Sequence, residues 1–317
     1  MTTDVEFTEL TGVYRRELLA HCYRMVGAVD EAEDLVQETY LRAWRSYDGF
    51  EGRASVRTWL YRIATNVCLT AIERRGRRPL PSGLGGPSTD PDVPLVAGPD
   101  VAWMQPLPDV LRGDTPEAVA MSRAGIRLAF VAALQYLSAR ARAVLILRDV
   151  LQWSAAEVAE LLETTPTAVH SALRHARADL ARSTPDANEL AEPDEAERLG
   201  LVERFAAAIE QADVSAMAEM LRLDAVLEMP PLLTWFAGRD PVARFVGANL
   251  LLEPGGLRVV LTRANDQDAL AVYARGVEGV YRAHAVILLT VVETEVARMV
   301  AFQDPGLFPG FGLPPEN

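Results

Sequence analysis

Lysine is absent from this chain of 317 residues, so all 31 of its basic residues are arginine. Cysteine is scarce as well. Cys22 and Cys68 stand singly within helical patterns, where a buried thiol is a commoner role than a metal ligand or a disulfide. No run approaches the roughly 20 apolar residues that a membrane helix requires, and the N-terminus shows no secretory-signal pattern. We therefore expect a cytoplasmic protein without a membrane segment, a metal or another cofactor.

The net charge of -13 is distributed unevenly along the chain. Residues 1–182 contain 21 arginines and 23 acids and are nearly neutral, whereas residues 183–317 contain 10 arginines and 21 acids. Between Arg53 and Arg78 there are seven arginines and one acid, Glu73. The acidic total therefore does not exclude nucleic acid as a partner, because a locally basic segment can still contact phosphates.

Residues 154–182 carry the pattern of a helix-turn-helix. Ser154 and Glu157 make a capping box that starts one helix, and Thr165 followed by Pro166 starts the next. In the second helix, apolar residues recur at spacings of three and four and predict a buried stripe. The residues left on the outer face suit base edges and phosphates in a DNA groove. They are Thr167, His170, Ser171, Arg174 and Arg177.

Amphipathic periodicity predicts further helices before residue 79. One contains residues 7–25. A second runs from Asp30, which pairs with Glu33 as a cap, to about Trp44. A third starts at Ser55 and ends near Arg75.

Two segments of unusual composition divide the chain. Residues 79–114 contain repeated proline and glycine, which mark an extended linker. Its part 103–109 is too apolar for a simple spacer, and we predict that this part docks on a folded surface. Residues 183–197 form a second, acidic linker. Beyond it, helices followed by strand-like runs predict an antiparallel sheet with helices on one face, an α+β domain over residues 198–317.

The first 182 residues resemble an extracytoplasmic-function (ECF) sigma factor of the sigma-70 class. Residues 30–44 are similar to the region 2 helix that docks on the clamp of core RNA polymerase. Residues 59–66, with Arg74 and Arg75, are similar to the helix that melts the promoter and reads its minus-ten element. Residues 134–182 resemble region 4, which reads the minus-thirty-five element. The resemblance implies region 2 at residues 1–78, region 4 at residues 115–182, and core RNA polymerase and promoter DNA as partners.

The resemblance also assigns contacts to individual residues. An acidic, amide-bearing helix face suits docking on a basic clamp, and an arginine-rich helix beside aromatic residues suits single-stranded DNA. The residues expected to contact polymerase are Asp34, Gln37, Glu38, Leu41 and Trp44. Those expected to contact minus-ten DNA are Arg53, Arg57, Arg62, Asn66, Arg74 and Arg75. In the helix-turn-helix, Glu163 stands where glycine is common in the turn, which requires a left-handed residue other than glycine or a different turn.

The last third resembles a SnoaL-like domain, an α+β cone related to nuclear transport factor two and polyketide cyclases. The resemblance is carried by Met229-Pro230-Pro231, by Trp235-Phe236 and by the ending Phe302-Gln303-Asp304-Pro305. In ECF sigma factors with such an extension, the domain is thought to regulate sigma activity in place of an anti-sigma partner. Six residues either line a pocket for an unknown small molecule or fill an ordinary cone interior. They are Met229, Trp235, Phe236, Tyr273, His284 and Phe302.

The expected fold is thus multidomain, with two all-α sigma domains followed by an α+β cone. Two other functions stay open at this point. One is a helix-turn-helix regulator that senses a ligand and binds duplex DNA without polymerase. The other is a SnoaL-like isomerase or hydrolase fused to a DNA-binding module, which would need His284 or a buried carboxylate beside a second acid. The acidic C-terminal third motivates the hypothesis that it holds the sigma domains in a compact arrangement that binds DNA poorly.

Overall fold

The computed structural model describes residues 2–52, 54–92, 94–98, 100–111, 126–183 and 194–317. The chain forms two compact units, each built from two separate stretches of sequence. The first unit comprises Met1–Arg78 and Leu111–Ala187, and the second comprises Pro79–Val110 and Asn188–Asn317. Both predicted sigma regions therefore share one unit, and most of the segment predicted as their linker belongs to the other.

The described part of the first unit is helical. Its first half contains α1 (Thr2–Gly12), α2 (Arg15–Val26), α3 (Val29–Ser46) and α4 (Val56–Arg75). The single helix predicted over residues 7–25 is wrong, because these residues are divided between α1 and α2. Its second half contains α5 (Leu128–Leu134), α6 (Ala139–Leu145), a π-helical turn (Ile146–Val150), α7 (Ala155–Leu161) and α8 (Pro166–Ser183). The predicted helix-turn-helix is confirmed as α7 and α8. Thr115 followed by Pro116 predicts a further helix start, which lies outside the described residues.

Local sequence explains where most of these helices begin. Ser55 accepts a hydrogen bond from the Thr58 backbone N–H at the start of α4. Ser154 and Glu157 form the predicted capping box of α7, and its hydrogen bonds hold the pKa of the Glu157 carboxyl below its usual value. The cap predicted at Asp30 is wrong, because α3 begins at Val29 and Asp30 lies in its first turn. A carboxylate there is still favourable beside the helix dipole.

The turn of the helix-turn-helix uses a left-handed residue other than glycine. Glu163 has φ of 50°, so its backbone reverses direction at the position where glycine is the usual residue. At the start of α8, Thr165 accepts a hydrogen bond from the Ala168 backbone N–H, at 3.2 Å. The left-handed Glu163 thus takes the conformation that the sequence required of a residue other than glycine in this turn.

The second unit combines helices with a sheet. Its helices are α9 (Glu195–Glu210), α10 (Val214–Glu219) and α11 (Arg239–Asn249). Its strands are β1 (Leu221–Glu228), β2 (Trp235–Ala237), β3 (Leu257–Ala264), β4 (Gln267–Arg275), β5 (Tyr281–Val292) and β6 (Glu295–Phe302). A 3-10 segment over Pro305–Phe311 follows. The expected fold class, helical sigma domains followed by an α+β domain, is confirmed.

The strands form one mixed sheet in the order β2-β1-β6-β5-β4-β3. The expectation of a purely antiparallel sheet is wrong at one pair, since β1 runs parallel to β6. The other neighbours are antiparallel. Because β2, α11 and β3–β5 lie between β1 and β6 along the chain, the connection has the length that a parallel pair requires.

The two faces of the sheet are buried in different ways. One face packs with α9 and α11 in a core that includes Phe205, Phe245 and Leu270. Side chains alternate across a strand, so Tyr273 points to the opposite face, where its ring lies against Phe308 at 5.0 Å between centroids. Both faces of β4 are therefore covered.

Within the described ranges, no helix is both long enough and apolar enough to span a bilayer. The same ranges contain no group of three or more His, Cys, Asp or Glu side chains placed to hold a metal ion. Cys22 and Cys68 are buried and free.

Candidate polymerase and DNA interfaces

The five residues expected to contact polymerase lie on one face of α3. Their spacing of three and four residues places them on the same side of a helix, while Ala32, Val36 and Ala43 on the other side are buried. Leu41 and Trp44 are exposed although they are apolar, which is typical of a docking surface. We call this face the α3 docking face. It consists of Asp34, Gln37, Glu38, Leu41 and Trp44.

Ring contacts hold Trp44 in place on this face. Phe7 meets it edge-on, with 5.2 Å between ring centroids, and Tyr47 stacks on it at 6.5 Å. The Trp44 side chain is thus partly used in packing within the chain. Of the two apolar side chains, Leu41 is the more exposed, at 52% against 39% for Trp44.

Helix α4 carries all but one of the arginines expected to contact minus-ten DNA, and several of them are paired with acids of the same chain. Arg57 donates to Glu17 at 2.7 Å and lies over the Tyr61 ring at 5.0 Å. Arg75 bonds to Glu31 at 3.0 Å. These pairs place an acid beside each of the two guanidinium groups.

The rest of this set divides into exposed residues, one paired residue and one outside the described chain. Asn66 and Arg74 are exposed on α4. Arg62 pairs with Glu160 of α7 at 2.8 Å. Arg53 lies outside the described residues. The pairing of basic side chains with local acids agrees with the nearly neutral charge of residues 1–182.

Aromatic rings lie next to the arginines at the start of α4. Phe50 lies against Trp59 at 4.7 Å between centroids, and Tyr47 is 6.5 Å from Trp59. Phe50 and Trp59 are both partly exposed. Rings in this state offer a surface on which an unstacked base packs.

The outer face of α8 is solvent-accessible as predicted from its periodicity. Val169, Leu173 and Ala176 are buried, and the side chains between them point outward. The outward residues are Thr167, His170, Arg174 and Arg177, which are exposed, and Ser171, which is half-buried. We call this set the α8 reading face.

One member of the α8 reading face is held by an acid that the sequence did not indicate. Arg177 donates from Nε and Nη2 to the two carboxylate oxygens of Asp149, at 2.8 and 2.6 Å. These hydrogen bonds raise the pKa of the Arg177 guanidinium further. Asp149 lies in the π-helical turn before α7, so this fork ties α8 to the preceding helix. Arg174 has no such pair among the described contacts.

In the C-terminal domain, the six candidate pocket residues are not gathered in one place. Met229 and Phe236 belong to the core on the helix side of the sheet. Tyr273 and Phe302 point to the opposite face, since their strand neighbours Val272 and Ala301 belong to the helix-side core. The sheet therefore separates these two pairs.

The other two candidate residues occupy positions of their own. The Trp235 indole N–H donates to the Gly85 carbonyl at 2.9 Å. His284 is the extra residue of a bulge in β5, because Val272 pairs with Ala285 and Tyr273 pairs with Ala283. Burial lowers the pKa of His284.

The segment predicted as a linker is bound along the C-terminal domain. The Leu107 backbone N–H donates to Asn265 Oδ1 at 2.9 Å, and the Asn265 backbone N–H donates back to the Leu107 carbonyl at 2.9 Å. The Ser82 N–H donates to Glu228 at 2.9 Å. Met104 and Leu107 are buried, which confirms that the apolar part of this segment docks on a folded surface.

Further backbone contacts continue this arrangement along the segment. The Ser88 N–H donates to the Trp235 carbonyl at 2.8 Å, and the Leu233 N–H donates to the Val96 carbonyl at 2.7 Å. At the far end, Asp109 accepts from the Asp266 N–H at 3.0 Å. Polar partners thus bind the segment at both ends and in the middle.

Comparison with known proteins identifies the two halves of the first unit. Residues 10–78 match the family model Sigma-70 region 2, and residues 127–180 match Sigma-70, region 4. The ECF RNA polymerase sigma factor SigG of Mycobacterium tuberculosis is 48% identical over 312 residues, covering 98% of this chain and 84% of that protein. SigJ of the same organism, also an ECF RNA polymerase sigma factor, is 28% identical over 310 residues, covering 94% of this chain and 92% of SigJ.

A solved structure resembles the chain over nearly its whole length. The crystal structure of the Mycobacterium tuberculosis ECF sigma factor SigJ matches with a TM-score of 0.61 and 25% sequence identity. The match covers 95% of this chain and 98% of that structure. The similarity therefore includes the C-terminal domain as well as the helical regions.

Proposed function

The chain belongs to the ECF family of RNA polymerase sigma factors, and we propose that its C-terminal domain controls promoter recognition by binding the segment between regions 2 and 4. As a sigma factor, the chain binds core RNA polymerase and directs it to promoter DNA. The observation that carries the proposal is that residues 79–110 belong to the same compact unit as the C-terminal domain. A segment bound in this way limits the positions that regions 2 and 4 can take.

The strength of the proposed control depends on the polar anchors of this segment. Leu107 is fully buried, so its N–H must find a partner inside the protein. Asn265 supplies that partner, and loss of an acceptor for a buried N–H costs about 1–3 kcal/mol. A few such hydrogen bonds hold the segment on the C-terminal domain in the free chain, and polymerase binding can still displace it.

The contacts with polymerase and DNA follow the faces defined above. The α3 docking face is proposed to bind core polymerase. The arginines and Asn66 of α4, with Phe50 and Trp59 beside them, are proposed to bind the minus-ten strand. The α8 reading face is proposed to read the minus-thirty-five element. Because core polymerase is the partner, we place the protein with it in the cytoplasm.

We propose no reaction for the chain. A small molecule that binds the C-terminal domain would be one way to release the bound segment. Met229 and Phe236 lie on the helix side of the sheet, whereas Tyr273 and Phe302 point to the opposite face. The six candidate residues therefore do not line one common pocket that would support this route. Direct competition by polymerase is the simpler release.

Replacing Arg174 with alanine is expected to weaken recognition of the minus-thirty-five element by about 1–3 kcal/mol, the value of a bidentate base contact. Transcription by the reconstituted holoenzyme from promoters altered base by base in this element measures the effect. Arg182→Ala is the matched control, because it removes the same charge from the same helix in a residue paired with Asp179. An unchanged base preference in Arg174→Ala would contradict the proposal that Arg174 reads this element.

Replacing Asn265 with glycine tests control by the bound segment. Asn265 has φ of 56°, a conformation that glycine adopts without strain, so the turn between β3 and β4 is retained while the acceptor for the Leu107 N–H is lost. We expect faster proteolysis within residues 79–110 and a change of at least about threefold in core-dependent transcription, since 1 kcal/mol alters an equilibrium constant about fivefold.

The control for this experiment comes from the same turn. Asp266 has φ of 58°, and Asp266→Gly leaves both hydrogen bonds between Asn265 and Leu107 in place. If Asn265→Gly released the segment to protease but transcribed like Asp266→Gly, then control through this segment would be refuted. The sigma-factor function itself would be unaffected by that outcome.

A further inference from the structure

Regions 2 and 4 contact each other within the first unit. The ring of Tyr61 in α4 meets Trp153, just before α7, edge-on at 6.1 Å between centroids. Gly27, which ends α2, leaves so little room that a Cβ there would lie 3.1 Å from the Gln135 side-chain amide. Tyr61 and Trp153 are both buried. The contact is therefore close-packed.

A buried arginine lies at the centre of this contact. The side chain of Arg142 in α6 is only 1% exposed. It donates to the Met25 carbonyl of region 2, to Gln135 Oε1 at 2.8 Å and to the carbonyls of Gln135 and Leu137. The Met25 carbonyl lies in the last turn of α2, where the helix dipole favours a cation.

The same arginine limits how strongly the regions hold together. The hydrogen bonds described for Arg142 all go to carbonyl or amide oxygens and none goes to a carboxylate, and its Nε has no hydrogen-bond partner. A buried cation without a counter-charge is costly, and burial lowers the pKa of Arg142 to about 10. When regions 2 and 4 separate, water can hydrate this cation, which reduces the cost of opening their contact.

One ion pair in this contact involves a residue proposed to bind DNA. Arg62 of α4 donates to Glu160 of α7 at 2.8 Å, with side-chain exposures of 30% and 67%. The Nε of Arg62 is buried and has no partner. Glu160 therefore satisfies the guanidinium only in part, and a DNA phosphate in the same place would bind it with the same chemistry.

We propose that Glu160 competes with promoter DNA for Arg62. The Glu160 carboxylate holds Arg62 in the contact between regions 2 and 4 and withholds it from the minus-ten strand. Separation of regions 2 and 4 then frees Arg62 and the helix-turn-helix in one step. This proposal rests on the proposed role of Arg62 in binding DNA. The competing ligand is the sugar-phosphate backbone of single-stranded DNA.

A double-mutant cycle on the full chain tests the proposal. The variants are Glu160→Gln, Arg62→Ala and the combination of both, and the probe is a short fluorescein-labelled single-stranded DNA of fixed sequence, read by anisotropy. Glu160→Gln is expected to raise the affinity about fivefold, the upper range for a partly exposed ion pair. In the Arg62→Ala background the same change is expected to have no effect, since the competed group is gone.

Glu163→Gln is the matched control, because it removes the same charge from the adjacent exposed turn. Hydrogen exchange of the α6 amides provides a second measurement, and we expect it to be faster in Glu160→Gln than in Glu163→Gln. Equal affinity gains in these two variants would overturn the proposal, as would a gain that persists without Arg62. The DNA role of Arg62 is judged separately. It fails if Arg62→Ala does not lower the affinity in the Glu160→Gln background.

Discussion

Replacing Leu41 with aspartate is expected to weaken binding of the chain to core RNA polymerase by at least about 30-fold, equivalent to about 2 kcal/mol. Leu41 is 52% exposed and lies among the polar residues of the α3 docking face. Covering the apolar Leu41 side chain lowers the free energy of the complex, whereas a carboxylate at the same position would have to lose its hydration at an apolar contact. Titration of labelled core polymerase with the full chain measures the affinity directly.

Val13→Asp is the matched control for this prediction. Val13 is 73% exposed and lies between α1 and α2, outside α3. Like Leu41→Asp, this substitution replaces an exposed apolar side chain with a carboxylate. We expect its affinity for polymerase to stay within about twofold of the parent chain, as for most surface substitutions. Equal losses in the two variants, or no loss in Leu41→Asp, would contradict the assignment of the α3 docking face.

The positions of the interface helices could be predicted because each depends on local sequence. The spacing of apolar residues in α3 and α8 determines which side chains face the core, and the outward sets then follow by geometry. Ser154 and Glu157 likewise reveal the start of α7 within four residues of sequence. Periodicity failed for short elements such as β2, whose three residues are too few to show a pattern.

The acids that pair with the predicted DNA-binding arginines could not be predicted in the same way. Arg57 and Glu17 are 40 residues apart, and Arg62 pairs with Glu160 from the other sigma region. Such pairs depend on how the helices pack, and the sequence around an acid does not identify the arginine with which it pairs. The nearly equal numbers of arginines and acids in residues 1–182 indicated neutralisation but did not locate it.

The bound segment between regions 2 and 4 could be predicted from the sequence only in part. Its apolar part was recognisable from composition, since Trp103 and Met104 do not suit a solvated spacer. The surface that receives it was not, because Asn265 and Leu107 are 158 residues apart. The pairing depends on a turn between β3 and β4 that presents an amide side chain to a passing backbone.

Replacing Glu228 with leucine is expected to lower the free energy of unfolding of the second unit by about 2–3 kcal/mol. Glu228 is fully buried, and it accepts from the Ser82 N–H at 2.9 Å and from Arg298 at 2.6 Å. Loss of one member of a buried pair costs about 3–5 kcal/mol when the remaining charge stays buried. Arg298 is partly exposed and can regain hydration, which reduces the loss.

Denaturant unfolding, with hydrogen exchange of the β1 and β6 amides to identify the unit that unfolds, measures this loss. Glu295→Leu is the matched control, because Glu295 pairs with Arg239 at 3.1 Å on the surface, where an ion pair contributes about 0–1 kcal/mol. In Glu228→Leu the Ser82 N–H also loses its partner, so cleavage by protease near residue 82 should increase in this variant and not in the control. Equal losses of stability in the two variants would mean that Glu228 does not anchor the segment to the sheet.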